Sequence, residues 1–150
     1  MAEKEENITI RAMVAEDYDA VYALWKRTEG MGLRAIDDSR EGIAKFLRKN
    51  PETNFVALKA GQLVGVILGS YDGRRGYVYH TAVESELRGQ GIGKALVNTL
   101  LAKYKEIGAT KLGLIVLTNN PEGLKYWQKR GFVLRTDNHY LSYTVDPENI

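Results

Sequence analysis

The sequence predicts an α/β (α+β) fold, a mixed and mostly antiparallel sheet of six to seven strands flanked by about four helices. Two observations support this prediction. Strand-like runs follow one another near the middle of the chain with only short turns between them, as in an antiparallel meander. The last of these runs is followed by a glycine-rich turn, a long amphipathic stretch and an almost uninterrupted apolar run, which is typical of a parallel crossover.

Four segments carry apolar residues at helical spacing. In the first of them, Tyr18, Val21 and Trp25 form one apolar stripe. The second begins at Asp38, which stands three residues before Glu41 at the spacing of a capping box. We therefore expect helices over residues 18–25, 38–50, 92–108 and 121–131.

The strand-like runs are separated by residues that favour turns. Ala60-Gly61 and Asp72-Gly73 are dipeptides suited to tight hairpins. The run LGLIVL at residues 112–117 is apolar throughout, as expected of a strand buried on both faces of a parallel sheet. The predicted strands cover residues 8–14, 54–59, 62–70, 77–83, 112–117, 132–134 and 140–145.

The overall composition favours one globular domain over residues 1–150. The net charge of +2 is too small to indicate a nucleic-acid or membrane partner. Because the chain has no cysteine, disulfides and thiolate metal sites are excluded, and we expect no metal. No apolar run has the length of a signal peptide or a membrane span, so we expect a cytoplasmic protein.

The stretch LRGQGIGKAL, residues 87–96, has glycines at every second position between a predicted strand and a predicted helix. It fails the dinucleotide fingerprint, because Lys94 and Leu96 stand where that motif needs a glycine. It also fails the P-loop spacing, which would need a glycine in place of Arg88. Two interpretations remain open from the glycines alone, a phosphate site at a helix N-terminus and a turn chosen for tight packing.

Two motifs resemble those of the GNAT superfamily, the acyl-coenzyme-A-dependent N-acyltransferases. Arg88-x-x-Gly91-x-Gly93 is similar to the family's central pattern, Arg/Gln-x-x-Gly-x-Gly/Ala. The stretch NPEGLKYWQKRGF, residues 120–132, is similar to the family's Asn-x-x-Ala-x-x-Phe/Leu-Tyr-x-x-x-Gly-Phe. The resemblance implies that the predicted strands at residues 77–83 and 112–117 splay apart and hold coenzyme A in the opening.

The resemblance also assigns positions to acetyl-coenzyme A (acetyl-CoA). The glycine turn would hold the pyrophosphate, and the end of the strand before it would bind the pantetheine arm like an added strand. Asn120 would contact the same arm. The cofactor-binding residues implied in this way are Ala82, Val83, Arg88, Gly89, Gln90, Gly91, Ile92, Gly93, Lys94, Ala95, Asn120 and Trp127.

The implied reaction is transfer of an acetyl group to a primary amine of a small molecule or of a protein or peptide, by direct attack on the thioester. A primary ammonium, with a pKa of about 10.4, must first lose its proton. Candidates for that base are His80, which also has a structural interpretation, and Glu29, which is otherwise a surface charge. Where many members carry a tyrosine facing the thiolate, this chain has Trp127, so the neighbouring Tyr126 and water are the candidate acids.

The missing tyrosine leaves a second hypothesis open, a module that binds coenzyme A and has little or no catalytic activity. Packing of the short helix onto the sheet is the structural alternative for both Tyr126 and Trp127. The sequence leaves the identity of the amine undetermined. It is also compatible with a homodimer.

Overall fold

The computed structural model describes residues 7–150, and in that range five strands form one sheet. The strands lie side by side in chain order. They are β1 (Ile8–Ala12), β2 (Phe55–Lys59), β3 (Gln62–Tyr71), β4 (Gly76–Val83) and β5 (Leu112–Gly113). The first four strands pair antiparallel, whereas β5 runs parallel to β4. The prediction of a mixed, mostly antiparallel sheet is therefore confirmed.

The four predicted helices are present as α1 (Tyr18–Lys26), α2 (Arg40–Lys49), α3 (Ile92–Ile107) and α4 (Pro121–Lys129). The predicted cap of α2 was wrong. Ser39 is the N-cap, because its hydroxyl accepts a hydrogen bond from the Gly42 amide at 3.0 Å. Asp38 is buried instead, and its carboxylate accepts a hydrogen bond of 2.7 Å from the backbone N–H of Arg34.

The helices cover both faces of the sheet and enclose two apolar cores. The first core lies under α1 and α2 and contains Met13, Tyr18, Val21, Leu24, Trp25, Ile43, Val56, Val66, Leu68 and Ala82. The second core lies under α3 and contains Phe55, Ala57, Val64, Ile67, Val78, Ile92, Leu96, Val97, Leu100 and Tyr104. From Val66 to Leu68, successive residues of β3 alternate between the two cores, since side chains of a regular strand point to opposite faces.

The sheet has fewer strands than the six to seven predicted. β5 stops at Gly113, and residues 114–117 have no strand partner within residues 7–150. The predicted strands at 132–134 and 140–145 are wrong for the same reason, because a strand needs a hydrogen-bonded neighbour as well as a suitable composition. The adjacent Tyr140 and Leu141 are 72% and 88% exposed, so the alternating pattern there buries neither face.

The end of the chain contacts the segment between α1 and α2. The backbone N–H of Ala35 donates to the carbonyl of Ile150 at 2.8 Å. The side-chain oxygen of Asn149 accepts from the amides of Ile36 and Asp37 at 2.9 and 3.0 Å. Within residues 7–150, no helix is long and apolar enough to cross a membrane.

Candidate active site

A gap opens in the sheet between β4 and β5. The two strands pair only at Gly76 with Leu112 and at Tyr77 with Gly113. β4 then continues to Val83, while the chain after Gly113 leaves the ladder. One edge of β4 from residue 78 to 83 therefore has no strand partner among the described residues, and its backbone groups on that edge are available to an extended ligand.

The glycine turn leads from this open edge into α3. Gly89 and Gly91 have φ angles of +82° and +87°, a conformation that side chains with a Cβ rarely adopt. A Cβ added at either glycine would meet no atom within 4 Å, so open space lies above the turn. The turn is therefore shaped to let a ligand approach the backbone, and its form is not a consequence of tight packing alone.

The N-terminus of α3 is prepared for an anion. Among the side chains that the structure describes none caps it, whereas Ser39 caps α2 and Asn120 caps α4. Its first turn contains no acidic residue, although α1, α2 and α4 each have one. The free N–H groups and the positive end of the helix dipole, with the exposed side chains of Arg88 and Lys94 nearby, can bind a phosphate group.

A buried hydroxyl group lies beside the same turn. The Oη of Tyr126, on α4, has no hydrogen-bond partner among the described residues although it is buried. A Cβ added at Gly93 would lie 2.5 Å from this Oη and 3.6 Å from Cγ2 of Val83. Gly93, Val83 and Tyr126 thus surround one point between the end of β4 and the start of α3, and an unsatisfied hydroxyl there is suited to a polar ligand group.

Asn120 and Trp127, from the motif at residues 120–132, lie in different environments on α4. Asn120 uses its side-chain oxygen to cap the helix, by accepting from the Gly123 amide at 2.9 Å. Its Nδ2 lies 3.6 Å from where a Cβ on Gly30 would stand, so the loop after α1, which contains the exposed Glu29, reaches this end of α4. Trp127 packs against the second core and lies edge-to-face on Phe132, with ring centroids 5.1 Å apart.

His80 lies on the opposite face of β4 from Tyr126. The register between β3 and β4 shifts here, so that His80 and Thr81 stand opposite Ile67 alone, and His80 has a φ of +39°. The Nε2 of His80 lies 2.8 Å from Oδ1 of the buried Asp38. This register shift is a β-bulge. The indole N–H of Trp25 stabilises it by donating to the backbone carbonyl of His80 at 3.0 Å.

Sequence reasoning missed the pairing of Asp38 with His80. The two residues are 42 positions apart, and Asp38 has a local alternative as a helix cap, so no short-range signal joins them. Tyr77 is another ionisable side chain of β4. Burial raises the pKa of Tyr77 to about 12, so this phenol stays protonated at neutral pH and is excluded as a base.

The sequence matches known acetyltransferases over most of its length. The sequence model of the acetyltransferase (GNAT) family matches residues 17–132. The chain is 35% identical over 120 residues to acetyltransferase SG1711 of Sodalis glossinidius (strain morsitans), an alignment covering 80% of this chain and 83% of that protein. The crystal structure of Ard1 from Thermoplasma volcanium aligns with a TM-score of 0.77 and 28% identity, covering 86% of this chain and 84% of that one.

A structure with a bound ligand has the same fold. The crystal structure of PaiA N-acetyltransferase from Thermoplasma acidophilum in complex with coenzyme A aligns with a TM-score of 0.76 and 19% identity, covering 88% of this chain and 93% of that one. The family match, the identity to a protein named acetyltransferase, the open edge of β4 and the uncapped start of α3 agree with one another. The chain is therefore a member of the acetyltransferase (GNAT) family, and it is an acyltransferase.

Proposed function

We propose that this protein transfers an acetyl group from acetyl-CoA to a primary amine, carried by a small molecule or by a protein or peptide. The observation that supports this best is the start of α3, which has no side-chain cap and no acidic residue and lies next to the open edge of β4. The start of the helix suits a diphosphate, and the open strand edge suits an extended arm that contains amides. A ligand such as coenzyme A needs both features side by side. The proposed location is the cytoplasm.

The backbone from Arg88 to Ala95 binds the pyrophosphate in this proposal. The left-handed turn at Gly89 and Gly91 brings the chain close to the phosphates, and Arg88 and Lys94 add positive charge. The side chain of Gln90 is exposed beside them, and Ile92, which is buried, anchors the first turn of α3 to the second core. The backbone amides of Ala82 and Val83 bind the pantetheine arm, together with the Nδ2 of Asn120.

The reaction follows from the chemistry of an amine and a thioester. The neutral amine nitrogen attacks the acetyl carbonyl, a C–N bond forms, and the C–S bond breaks with its electron pair remaining on sulfur. A backbone N–H near Val83 stabilises the oxyanion of the tetrahedral intermediate. The hydroxyl of Tyr126 is a candidate donor to the departing sulfur, because it is buried at the end of β4 and has no hydrogen-bond partner among residues 7–150. The candidate bases are His80 and Glu29.

Isothermal titration calorimetry with acetyl-CoA tests the binding part of the proposal. In the variant Gly91→Glu a carboxylate faces the pyrophosphate, and we expect affinity to fall about 100-fold or more because two like charges lie within a few ångströms. The matched control is Gly61→Glu, which places the same side chain at another glycine with positive φ and open space, in the hairpin between β2 and β3. We expect its affinity to stay within about twofold of the parent protein.

Two outcomes of this titration contradict the proposal. If the parent protein does not bind acetyl-CoA at a concentration of about 1 mM, the cofactor assignment is wrong. If Gly91→Glu binds as tightly as the control, the pyrophosphate does not lie on this turn.

A thiol-release assay separates an enzyme from a module that only binds coenzyme A. The amine panel contains spermidine, glucosamine 6-phosphate, an aminoglycoside and a peptide with a free N-terminal alanine. We expect steady release of coenzyme A above the hydrolysis background with at least one of these acceptors. Binding of acetyl-CoA without turnover on the whole panel would favour the binding module, which the substitution of the tyrosine by Trp127 motivates.

A further inference from the structure

Among the described residues, Asp38 and His80 form the only acid–base contact in which both side chains are largely buried. The exposed fractions of the two side chains are 5% and 17%, whereas each of the other pairs includes at least one strongly exposed partner or lies on a helix surface. Burying a carboxylate costs free energy unless its oxygens are bound. Apolar residues would fill this space at a lower cost in free energy. A buried pair on β4, the strand that borders the gap, therefore calls for a functional explanation.

The environment of Asp38 determines which nitrogen of His80 carries the proton. Oδ2 of Asp38 accepts the backbone N–H of Arg34, and Oδ1 lies 2.8 Å from Nε2 of His80, a contact whose direction depends on the tautomer of the ring. An ionised carboxylate only accepts hydrogen bonds, so Nε2 must be the donor. In the neutral ring Nδ1 then carries the lone pair, and among residues 7–150 this nitrogen has no hydrogen-bond donor.

The bulge in β4 places the imidazole ring of His80 on the face of the sheet that α1 and α2 cover. Tyr79 contacts Phe46 of α2, with ring centroids 5.7 Å apart, and the next residue, His80, also lies on the face of α1 and α2. In a regular strand these two successive side chains would point to opposite faces. Tyr126 approaches the end of β4 from the α3 side, so the proposed proton donor and His80 flank the gap from opposite faces.

We propose that Asp38 is a positioning residue for acetyl transfer, which holds His80 in the tautomer that removes a proton from the acceptor ammonium. This inference rests on the proposed function. The proton passes from the ammonium to Nδ1 of His80, the free amine attacks the acetyl carbonyl, and the sulfur leaves as a thiolate. The new amide nitrogen gives up its second proton, which neutralises the thiolate through Tyr126 or water. The imidazolium releases its proton to solvent, so the net reaction yields amide, free thiol and one proton.

Nuclear magnetic resonance of the ring nitrogens tests the geometry without an acceptor. The chain has two histidines, so His139→Gln, at an exposed position, leaves His80 as the single imidazole signal. In this background we expect the neutral ring to carry its proton on Nε2, and Asp38→Ala to give a mixture of the two tautomers. A parent ring that already carries its proton on Nδ1 would overturn the inference.

Kinetics with the best acceptor of the panel tests the role in the reaction. We expect Asp38→Asn and His80→Gln each to lower kcat about 100-fold or more, with the KM for acetyl-CoA changed about twofold at most. The double variant is expected to be no slower than either single variant, because the two residues act as one unit. The matched control is Asp37→Asn, which changes the exposed neighbour of Asp38 and is expected to keep the parent rate.

The outcomes distinguish this inference from the proposed function. If the parent protein turns over and either Asp38→Asn or His80→Gln keeps its kcat within about threefold, the positioning role is wrong while the acetyltransferase proposal stands. If the parent protein binds acetyl-CoA and acetylates no amine of the panel, both are overturned. Equal binding of acetyl-CoA by parent and variants, measured by calorimetry, shows that a lost rate is not a loss of folding.

Discussion

The contact between Gly93 and Tyr126 gives a sharp test of the active-site geometry. A Cβ at position 93 would lie 2.5 Å from the Oη of Tyr126, inside the van der Waals limit. The next nearest atoms, Cζ of Tyr126 at 3.4 Å and Cγ2 of Val83 at 3.6 Å, are at ordinary contact distances. The clash in Gly93→Ala therefore involves a single oxygen atom, which Tyr126→Phe removes without altering the ring.

The expected free energies follow from this geometry. Alanine in place of glycine inside a helix stabilises it by about 0.5–1 kcal/mol, whereas overpacking costs about 1–3 kcal/mol. We therefore expect Gly93→Ala to destabilise the parent protein by about 1 kcal/mol and to stabilise the Tyr126→Phe protein by about 0.5–1 kcal/mol. Tyr126→Phe alone is expected to stabilise by about 1 kcal/mol, because it removes a buried hydroxyl that has no partner.

Urea unfolding of the parent, the two single variants and the double variant completes the cycle. A coupling free energy of about 1–2 kcal/mol between the two positions supports the geometry. Free energies of unfolding that add within about 0.5 kcal/mol would refute the contact between Tyr126 and the first turn of α3. The same four proteins test the catalytic assignment, since Tyr126→Phe should lower kcat although it raises stability. An unchanged kcat would mean that water, and not Tyr126, protonates the thiolate.

Three further predictions concern stability, all measured by urea unfolding. Ser39→Ala removes the cap of α2 and should cost about 1 kcal/mol, and no loss would mean that another group caps the helix. The hydrogen bond from Arg27 lowers the pKa of Glu84, so the pair stabilises the fold above the ordinary pKa of 4.5 and this contribution is lost as the pH falls below it. The free energy difference between the parent and Glu84→Gln, a few tenths of a kcal/mol for such an exposed pair, should thus decrease as the pH falls through the lowered pKa of Glu84, and a difference that grows there would contradict the pairing. Tyr104→Phe should cost about 1 kcal/mol, because the buried hydroxyl donates to the carbonyl of Ser70 at 2.8 Å, and an unchanged midpoint would show that the bond contributes nothing.

Local signals in the sequence predicted the elements whose formation is decided locally. The turn at Ala60-Gly61 was predicted from the dipeptide, and both residues have positive φ, +51° and +75°, as a tight hairpin requires. Gly108 was predicted to close α3, and it is the C-cap residue with a φ of +86°. The backbone conformation of Gly61 and Gly108 is one that residues with a Cβ rarely adopt, so the sequence indicated these two turns correctly.

Predictions that depend on distant partners were less accurate. The alternation at residues 140–145 describes how well a strand would fit a half-buried face, and it contains no information on which neighbour provides the hydrogen bonds. Asp38 and Ser39 are both good cap residues, and only tertiary contacts show that Asp38 turns inward to His80. The position of the glycine turn at a helix start was predictable, whereas the side chains facing it come from elements far apart in the chain.

The bulge at His80 also limits how this chain can be changed. The bulge places Tyr79 and His80 on the same face of the sheet. The segment from Gly76 to Val83 therefore contains one residue more than the stretch of β3 with which it pairs. Deleting Thr81 would restore a regular alternation after Tyr79 and turn the imidazole toward α3, away from Asp38. Chimeras that exchange β4 with a relative must therefore carry the bulge with it, or the histidine will no longer face Asp38.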